Sequence, residues 1–266
     1  MIVGVYVDDL LVGGSEKDCN ALLVSLNKKF PTNNLGECTW YDGFGIERDI
    51  VLGTITLSQE AYVESLMTRF DVQSTSAIPA SPDADLGPKR DDESGGDWPV
   101  REAVGSLLWL STMTRPDITN AVRAVARYAH TPTKRLWDAI MKIFSYLKGT
   151  PSFGITYVRG SGLGLEVFAD SDYADKANDR RSVSGIAVTL GGTVVSHASK
   201  TQHVVSLSTS EAEYIAAGDG VKEALFVNAV LSFIAPETRV GRIKVFEDNR
   251  EAKAPKTPLV LLGAST

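Results

Sequence analysis

Three acidic residues near the ends of predicted elements have the chemistry of a metal-dependent hydrolase. Asp170 follows a predicted strand, Glu213 lies in the first turn of a predicted long helix, and Asp248 ends a predicted last strand. Clustered carboxylates repel one another unless divalent cations neutralise them, and hard oxygen ligands suit Mg²⁺ or Mn²⁺. Two such ions about 4 Å apart would activate a water and stabilise the leaving oxygen in phosphodiester cleavage.

Each of these acids also has an ordinary structural explanation. Asp170 would open a turn with the following Ser171-Asp172. Glu213 would complete a capping box with Ser210, and Asp248 would cap a following helix. Spacing alone favours these explanations.

A second pair of acids interrupts an apolar, β-rich stretch near residue 1. Residues 2–7 and 10–12 flank Asp8 and Asp9, and Gly13-Gly14 follows. This pattern predicts a tight hairpin with two carboxylates at its tip. The two acids are either turn residues or metal ligands.

The net charge of −6 hides an uneven distribution along the chain. Residues 101–161 carry 9 Lys and Arg against 3 Asp and Glu, whereas residues 1–100 carry 7 against 17. Within the basic segment, Arg123, Arg127 and His130 have helical spacing and would line one face, with Lys134 just past the turn. Such a face is either a solvated surface or a contact for nucleic-acid phosphates.

Apolar spacing predicts both helices and strands, and therefore an α+β fold. Helices with one apolar side are predicted at 15–30, 59–70, from Pro116 onward, at 136–147 and at 210–234. Strands are predicted at 54–57, 163–169, 184–190, 193–197 and 241–246. Gly191-Gly192 would join the hairpin at 184–197.

Composition is that of a globular protein, with 43% hydrophobic and 23% charged residues. Cys19 and Cys38 lack metal-ligand spacing and are too few for a disulfide framework, so we expect a reducing compartment. No apolar run approaches a membrane span and no signal pattern is present, so we expect a soluble intracellular protein of cytoplasm or nucleus, without a membrane partner. The Pro-, Ser-, Gly- and Asp-rich stretch 79–99 predicts a polar linker.

Several motifs, in order, resemble the Pol polyprotein of Ty1/copia-type retrotransposons. The string Val-Tyr-Val-Asp-Asp-Leu-Leu-Val-Gly-Gly at 5–14 resembles the palm hairpin of reverse transcriptases. Blocks that resemble the family's connecting segment are Ala103-Val104-Gly105-Ser106-Leu107, Thr114-Arg115-Pro116-Asp117-Ile118 and Tyr146-Leu147-Lys148-Gly149-Thr150. Blocks that resemble its ribonuclease H are Ala169-Asp170-Ser171-Asp172-Tyr173-Ala174, Asp179-Arg180-Arg181-Ser182, Ser208-Thr209-Ser210-Glu211-Ala212-Glu213-Tyr214 and Glu247-Asp248-Asn249. The resemblance covers residues 1 to about 252.

The resemblance implies roles for the acidic residues. Asp170, Glu213 and Asp248 would be catalytic and metal-binding acids of a ribonuclease H that uses Mg²⁺ or Mn²⁺. Asp8 and Asp9 would be two of the three metal-binding aspartates of the polymerase. Between Glu211 and Glu213, alignment with the family favours Glu213, which precedes the aromatic Tyr214. The residues expected to contact nucleic acid are Arg123, Arg127, Lys134, Arg180 and Arg181.

The same resemblance implies four segments. Residues 1–78 would be the C-terminal part of a reverse transcriptase with its palm hairpin and thumb start, and 79–100 a polar linker. Residues 101–161 would be a helical connection. Residues 162–266 would be a ribonuclease H-like domain, a mixed sheet flanked by helices and truncated at its C-terminus.

The implied function is cleavage of the RNA strand of RNA–DNA hybrids by this Pol fragment. Fingers, nucleotide pocket and third palm aspartate are not represented before Met1, so we expect no DNA synthesis without the missing N-terminal reverse-transcriptase portion as a partner. The fourth acid expected after Asn249 is not found, because Pro255 and Pro258 interrupt that region. The alternative is a non-catalytic remnant, or a nucleic-acid-binding or interaction module.

Overall fold

The computed structural model describes residues 1–82, 84–174, 180–236 and 242–246, together with the backbone of Leu259–Leu262. In these residues, helices accompany three β-sheets of two, four and five strands. The fold is α+β, as the hydrophobic pattern predicts.

The first residues form a hairpin and a helix. Strands β1 (Ile2–Tyr6) and β2 (Asp9–Gly13) pair antiparallel around a turn at Val7 and Asp8, as predicted. Ser15 caps α1 (Glu16–Asn27), because its hydroxyl accepts the Asp18 N–H at 3.2 Å. The helix ends three residues before the predicted end at Phe30. No residue of α1 is buried and every residue of β1 is exposed, so neither element contributes a buried side chain to a core.

A four-stranded antiparallel sheet joins segments that are distant in the sequence. Its strands, in spatial order, are β3 (Trp40–Tyr41), β4 (Phe44–Asp49), β5 (Thr54–Ser58) and β6 (Gly154–Val158). The hydroxyls of Thr56 and Thr156 lie 2.9 Å apart across the β5–β6 pair. The last strand therefore returns from the far side of the helical segment to complete the sheet.

Five helical elements pack into the larger apolar core. They are α2 (Glu60–Arg69), α3 (Val100–Met113), a 3₁₀ helix (Pro116–Ile118), α4 (Thr119–Ala126) and α5 (Lys134–Gly149). The predicted apolar face of α5 is buried, and Phe144 stacks on Phe70 with ring centroids 4.7 Å apart. Pro116 stands at the first position of the 3₁₀ helix, where its missing N–H costs nothing.

The predicted linker at 79–99 has no helix in its described residues, but it contacts α5. The Arg135 guanidinium donates to the Glu93 carboxylate and to the backbone carbonyls of Asp85 and Pro88. Lys142 donates to the Ser81 hydroxyl at 2.7 Å. The composition predicts little burial for this stretch. Hydrogen bonds from side chains of α5 hold the stretch in place.

The last third forms a five-stranded mixed sheet covered by one long helix. The strands are β7 (Leu165–Asp172), β8 (Val183–Leu190), β9 (Thr193–Thr201), β10 (Arg242–Phe246) and β11 (Leu259–Leu262), and the helix is α6 (Thr209–Ile234). The spatial order is β11-β10-β7-β8-β9, with β10 parallel to β7 and the other pairs antiparallel. The predicted turn joins β8 to β9, with positive φ at Gly191 and Gly192.

Small residues let α6 lie close to β7. Ala212, Ala216, Gly220 and Ala224 recur every fourth residue and form the buried side of the helix. A Cβ added at Gly220 would stand 2.6 Å from Cγ1 of Val167. The helix therefore approaches the sheet to a distance that only glycine permits at this point.

Side chains of β9 connect the mixed sheet to the rest of the chain. Nε2 of His197 donates to the Ser111 carbonyl of α3 at 2.7 Å, and the Thr193 hydroxyl donates to the Thr156 carbonyl of β6 at 3.0 Å.

None of the helices in the described ranges has the length and apolar character needed to cross a bilayer.

Candidate active site and nucleic-acid cleft

Asp170 lies inside β7, where it pairs with Gly185 of β8. The strand continues to Asp172, so Asp170 does not follow the strand end, and the explanation of Ser171-Asp172 as a turn is wrong. Side chains alternate along the strand, so Phe168, Asp170 and Asp172 share the exposed face while Val167 and Ala169 are buried. The carboxylate therefore faces solvent on the sheet face away from the buried side.

Glu213 occupies the second turn of α6 rather than the first and is 6% exposed. The cap of this helix is Ser208, whose hydroxyl accepts the Glu211 N–H at 3.1 Å, and Glu211 in turn accepts the Leu207 N–H at 2.7 Å. Ser208 and Glu211 thus cap the helix, and the explanation of Glu213 as the capping-box partner of Ser210 is wrong. Between the two glutamates, Glu213 is the one directed at the sheet.

A hydrogen bond ties Glu213 to the residue that follows Asp170 in the sequence. The Ser171 backbone N–H, one residue after Asp170, donates to Oε1 of Glu213 at 3.3 Å. The Glu213 carboxylate thus reaches the backbone of β7 from the side covered by α6, whereas the Asp170 side chain lies on the exposed face of the same strand. Asp248, the third predicted acid, lies outside the described residues. In the part of the chain that the structure describes, no three Asp, Glu, His or Cys side chains are grouped to hold a metal.

Asp170 borders a cleft of about 420 Å³ between α4 and the exposed face of the mixed sheet. Arg123 of α4 lines the same cleft. Its Nε donates to the Ser199 hydroxyl of β9 at 3.1 Å, and its Nη2 donates to Oδ1 of Asn120 at 3.1 Å. The cleft is therefore lined by both Asp170 and Arg123, which lie more than forty residues apart in the sequence.

The predicted basic stripe is not continuous in the structure. The α-helix ends at Ala126, so Arg127 is its cap residue and His130 lies in the following turn. Lys134 is exposed in the first turn of α5, where its ammonium donates to both oxygens of Asp138. Of the predicted nucleic-acid residues, the structure brings only Arg123 into the Asp170 cleft.

Other cations of the basic segment are used in internal contacts. Arg115 is 1% exposed and is bound to Asp117, Arg135 is bound to Glu93, and Lys148 donates to the Val72 carbonyl. Arg180 and Arg181, by contrast, are exposed in the segment that precedes β8. The net charge of residues 101–161 therefore overstates the positive charge that these residues present at the surface.

Asp8 and Asp9 lie apart from this cleft. Asp8 is in the turn of the N-terminal hairpin and Asp9 is the first residue of β2, and both are exposed. Burial raises the pKa of Tyr41 in β3, and the negative charge of the Asp9 carboxylate raises it further. Neither aspartate lines the cleft at Asp170.

Polar residues that no motif singled out support the site. Asn120 and Ser199 hold the Arg123 guanidinium, and the buried Gln202 bonds to the first turns of α6. Side chains alternate along β9, so His197 and Ser199 lie on one face of the strand. This alternation is the feature of the sequence from which the position of Ser199 could have been predicted. Asn120 carries a signal only in its position three residues before Arg123 on a helix.

No family model matches the chain. It is 35% identical over 240 residues to the retrovirus-related Pol polyprotein from transposon TNT 1-94 of Nicotiana tabacum, a match that covers 87% of this chain and 18% of the polyprotein. It is 32% identical to an uncharacterized mitochondrial protein of Arabidopsis thaliana, over 80% of this chain and 89% of that protein. It is 30% identical to a putative transposon Ty5-1 protein of Saccharomyces cerevisiae, over 83% and 73% of the two chains.

The chain belongs to the Ty1/copia-type retrotransposon Pol family. The resemblance drawn from the ordered motifs is confirmed. This Pol fragment spans less than a fifth of the tobacco polyprotein that it matches.

Proposed function

We propose that this Pol fragment is a ribonuclease H that hydrolyses the RNA strand of RNA–DNA hybrids with divalent metal ions. The observation that carries the proposal is the placement of Glu213. Its carboxylate is buried against β7 and bound by the backbone N–H that follows Asp170. A buried glutamate held at the residue after Asp170 supplies a second carboxylate close to the Asp170 position on β7, which is what a site for divalent metal needs.

The architecture around the pair supports the proposal. A three-stranded antiparallel meander, a long helix and a strand parallel to the first strand follow one another in the sequence. This order places the end of β7, the start of α6 and the end of β10 at neighbouring points. Asp248 follows the end of β10 by two residues in the sequence. It is therefore the acid that we expect to join Asp170 and Glu213.

The donor set fits Mg²⁺ or Mn²⁺, because carboxylate oxygens are the ligands that these hard cations prefer. Asp170 and Glu213 would hold the ions, with Asp248 as the third ligand. Bound metal would supply an activated water and neutralise charge on the scissile phosphate. The chain's own contribution is to fix the orientation of Glu213 through the Ser171 N–H and to leave Asp170 open to the cleft.

The cleft between α4 and the mixed sheet is the proposed binding site for the hybrid. Arg123 would contact a backbone phosphate of the hybrid, and Arg127, Arg180 and Arg181 would extend that contact outside the cleft. Hybrids of this kind are recognised by backbone, shape and 2′-hydroxyls more than by base sequence. We therefore expect binding with little sequence preference and with strong salt dependence.

Cleavage of a labelled RNA–DNA hybrid by the purified chain, with Mg²⁺ or Mn²⁺, tests the proposal. Asp170→Asn and Glu213→Gln should each abolish cleavage. Glu211→Gln is the matched control, because Glu211 lies two residues away on the same helix but bonds to the Leu207 N–H. No cleavage by the folded wild-type chain, or equal loss in Glu211→Gln and Glu213→Gln, would count against a ribonuclease H. Hybrid binding without cleavage would favour the alternative of a nucleic-acid-binding module.

The role of the cleft is tested by binding across a salt series. Arg123→Glu with Arg127→Glu should weaken hybrid binding and reduce its dependence on salt. Lys134→Glu is the comparison, since Lys134 is bound to Asp138 and lies outside the cleft, and its effect should be smaller. Unchanged affinity of the double variant at every salt concentration would rule out the arginine contact.

The family resemblance also gives the N-terminal hairpin a role. Asp8 and Asp9 would bind the polymerase metals within a longer Pol polyprotein. In the described residues they neither line the cleft nor join Asp170 and Glu213.

A further inference from the structure

A buried glutamine links the start of α6 to the mixed sheet. Gln202 is 4% exposed and follows the end of β9. Its Nε2 donates to the Ser184 hydroxyl of β8 at 3.0 Å and to the Ala212 carbonyl of α6 at 2.8 Å. Its Oε1 accepts the Ser206 hydroxyl at 2.8 Å. The amide thus uses both of its donors and its acceptor inside the protein.

These contacts close a ring that includes Glu213 and the residue after Asp170. Ser184 is the cross-strand partner of Ser171, which is the residue that follows Asp170. The Ser171 N–H donates to Glu213, and Glu213 follows Ala212, the residue that Gln202 binds. One half of the ring is the sheet, the other half is the helix, and the Gln202 amide is the bridge between them.

We propose that Gln202 is a positioning residue that fixes Glu213 of α6 against β7, and so sets the spacing between Glu213 and Asp170. Gln202 does not touch the reacting atoms; it acts through the Ala212 carbonyl and the Ser184 hydroxyl. The metal-binding consequence of this role rests on the proposed function, whereas the link between Gln202 and the Ser171–Glu213 bond does not.

The chemistry of the bridge calls for a primary amide. A glutamate at position 202 would lack the two N–H donors and would place a carboxylate near the Ala212 carbonyl and Glu213. A methionine would keep the length and volume of the side chain while removing every polar contact. An amide is therefore the group that joins one hydroxyl and one helix carbonyl in a site from which water is excluded.

Three variants separate the bridge from the stability of the buried network. Gln202→Met removes the bridge, and Ser184→Ala removes its contact with the sheet. Ser206→Ala is the matched control, because it removes a buried hydrogen bond of the same glutamine but leaves both Nε2 contacts in place. The free energy of unfolding of each variant is measured by urea denaturation, so that a general loss of stability is recognised.

Two readouts are measured on the full chain. The first, without metal, is amide hydrogen exchange of Ser171 relative to Val167 on the same strand. The second is the Kd for Mn²⁺ by calorimetry. Loss of an outer residue that orients a metal ligand costs about 10- to 100-fold in affinity, so we expect at least a tenfold rise in Kd for Gln202→Met and Ser184→Ala. Ser171 exchange should accelerate in the same two variants and not in Ser206→Ala.

The outcomes distinguish the two claims. Unchanged Ser171 exchange in Gln202→Met and Ser184→Ala, or equal acceleration in Ser206→Ala, overturns the positioning role. A wild-type chain that binds no Mn²⁺ and cleaves no hybrid overturns the proposed function, while the exchange data still decide whether Gln202 holds the Ser171–Glu213 bond.

Discussion

The buried ion pair at the start of the 3₁₀ helix should make the Thr114-Arg115-Pro116-Asp117-Ile118 block a stability determinant. The Arg115 side chain is 1% exposed. Its Nε and Nη2 donate to the two oxygens of Asp117 at 3.0 and 2.8 Å, and its Nη1 donates to the Thr150 carbonyl at 2.9 Å. The Tyr146 hydroxyl donates to Asp117 at 2.8 Å. Replacement of Asp117 by Asn leaves the guanidinium buried without its counter-charge.

The expected loss follows from the burial of the two partners. Removing one partner of a fully buried ion pair costs about 3–5 kcal/mol. The Asp117 side chain is 34% exposed, so solvent screens part of the interaction, and asparagine retains one acceptor. We therefore expect Asp117→Asn to lower the free energy of unfolding by about 2–3 kcal/mol. Asp138→Asn is the control, because its Lys134 partner is exposed, and should cost about 0.5 kcal/mol or less.

Urea denaturation followed by circular dichroism measures both variants. Burial raises the pKa of Asp117, but the hydrogen bonds and charge of Arg115 and the Tyr146 hydroxyl outweigh it, so the pKa is lowered. The pair therefore stabilises the fold above the ordinary aspartate pKa, and this contribution is lost as the pH falls through the lowered value. Equal losses in the two variants, or a gap between Asp117→Asn and wild type that does not shrink on acidification, would refute the reasoning.

Two further predictions concern α6 and the 79–99 segment. Gly220→Ala should destabilise the protein by about 1–3 kcal/mol, because the added Cβ meets Val167. Gly218→Ala has open space around the added Cβ and should stabilise α6 by up to about 1 kcal/mol. Thermal denaturation compares the two variants, and equal effects would contradict the close approach of helix and sheet. The Arg135 side chain and the Arg90 N–H lower the pKa of Glu93 from 4.5 to about 2. The contacts of Arg135 with Glu93 should therefore persist above pH 4.5 and be lost as the pH falls toward 2, which NMR titration of Glu93 measures; a midpoint near 4.5 would disprove the contact.

Elements with a clear hydrophobic period were predictable from the sequence. The hairpin at Gly191-Gly192 and the apolar face of α5 required only local patterns, and the structure confirms both. Helix α3 was not predicted, because its buried side includes Ser106 and Ser111 while Leu108 and Trp109 are exposed. Strand β6 was missed because its partner β5 lies about a hundred residues earlier, and no local signal reports such a pairing.

The candidate site was predictable as a set of residue types but not as an arrangement. Spacing allowed Glu213 to be a capping residue, and family resemblance alone preferred it to Glu211. The structure separates the two, because Ser208 rather than Ser210 caps α6 and so leaves Glu213 one turn further along the helix. Glu213 faces the sheet because it lies on the buried side of α6 with Ala212 and Ala216, whereas Glu211, two residues earlier, is exposed.

Charge counting was the weakest guide to the nucleic-acid surface. The excess of 9 cations over 3 acids in residues 101–161 predicted a basic face, yet Arg115, Arg135 and Lys148 are bound inside the protein. The observation that supports the proposed phosphate contact is geometric: Asn120 and Ser199 hold the Arg123 guanidinium, which lines the same cleft as Asp170. A fixed guanidinium loses less conformational entropy on binding a phosphate than a solvated lysine does. One held arginine beside a carboxylate therefore supports nucleic-acid binding more strongly than the net charge of the whole segment.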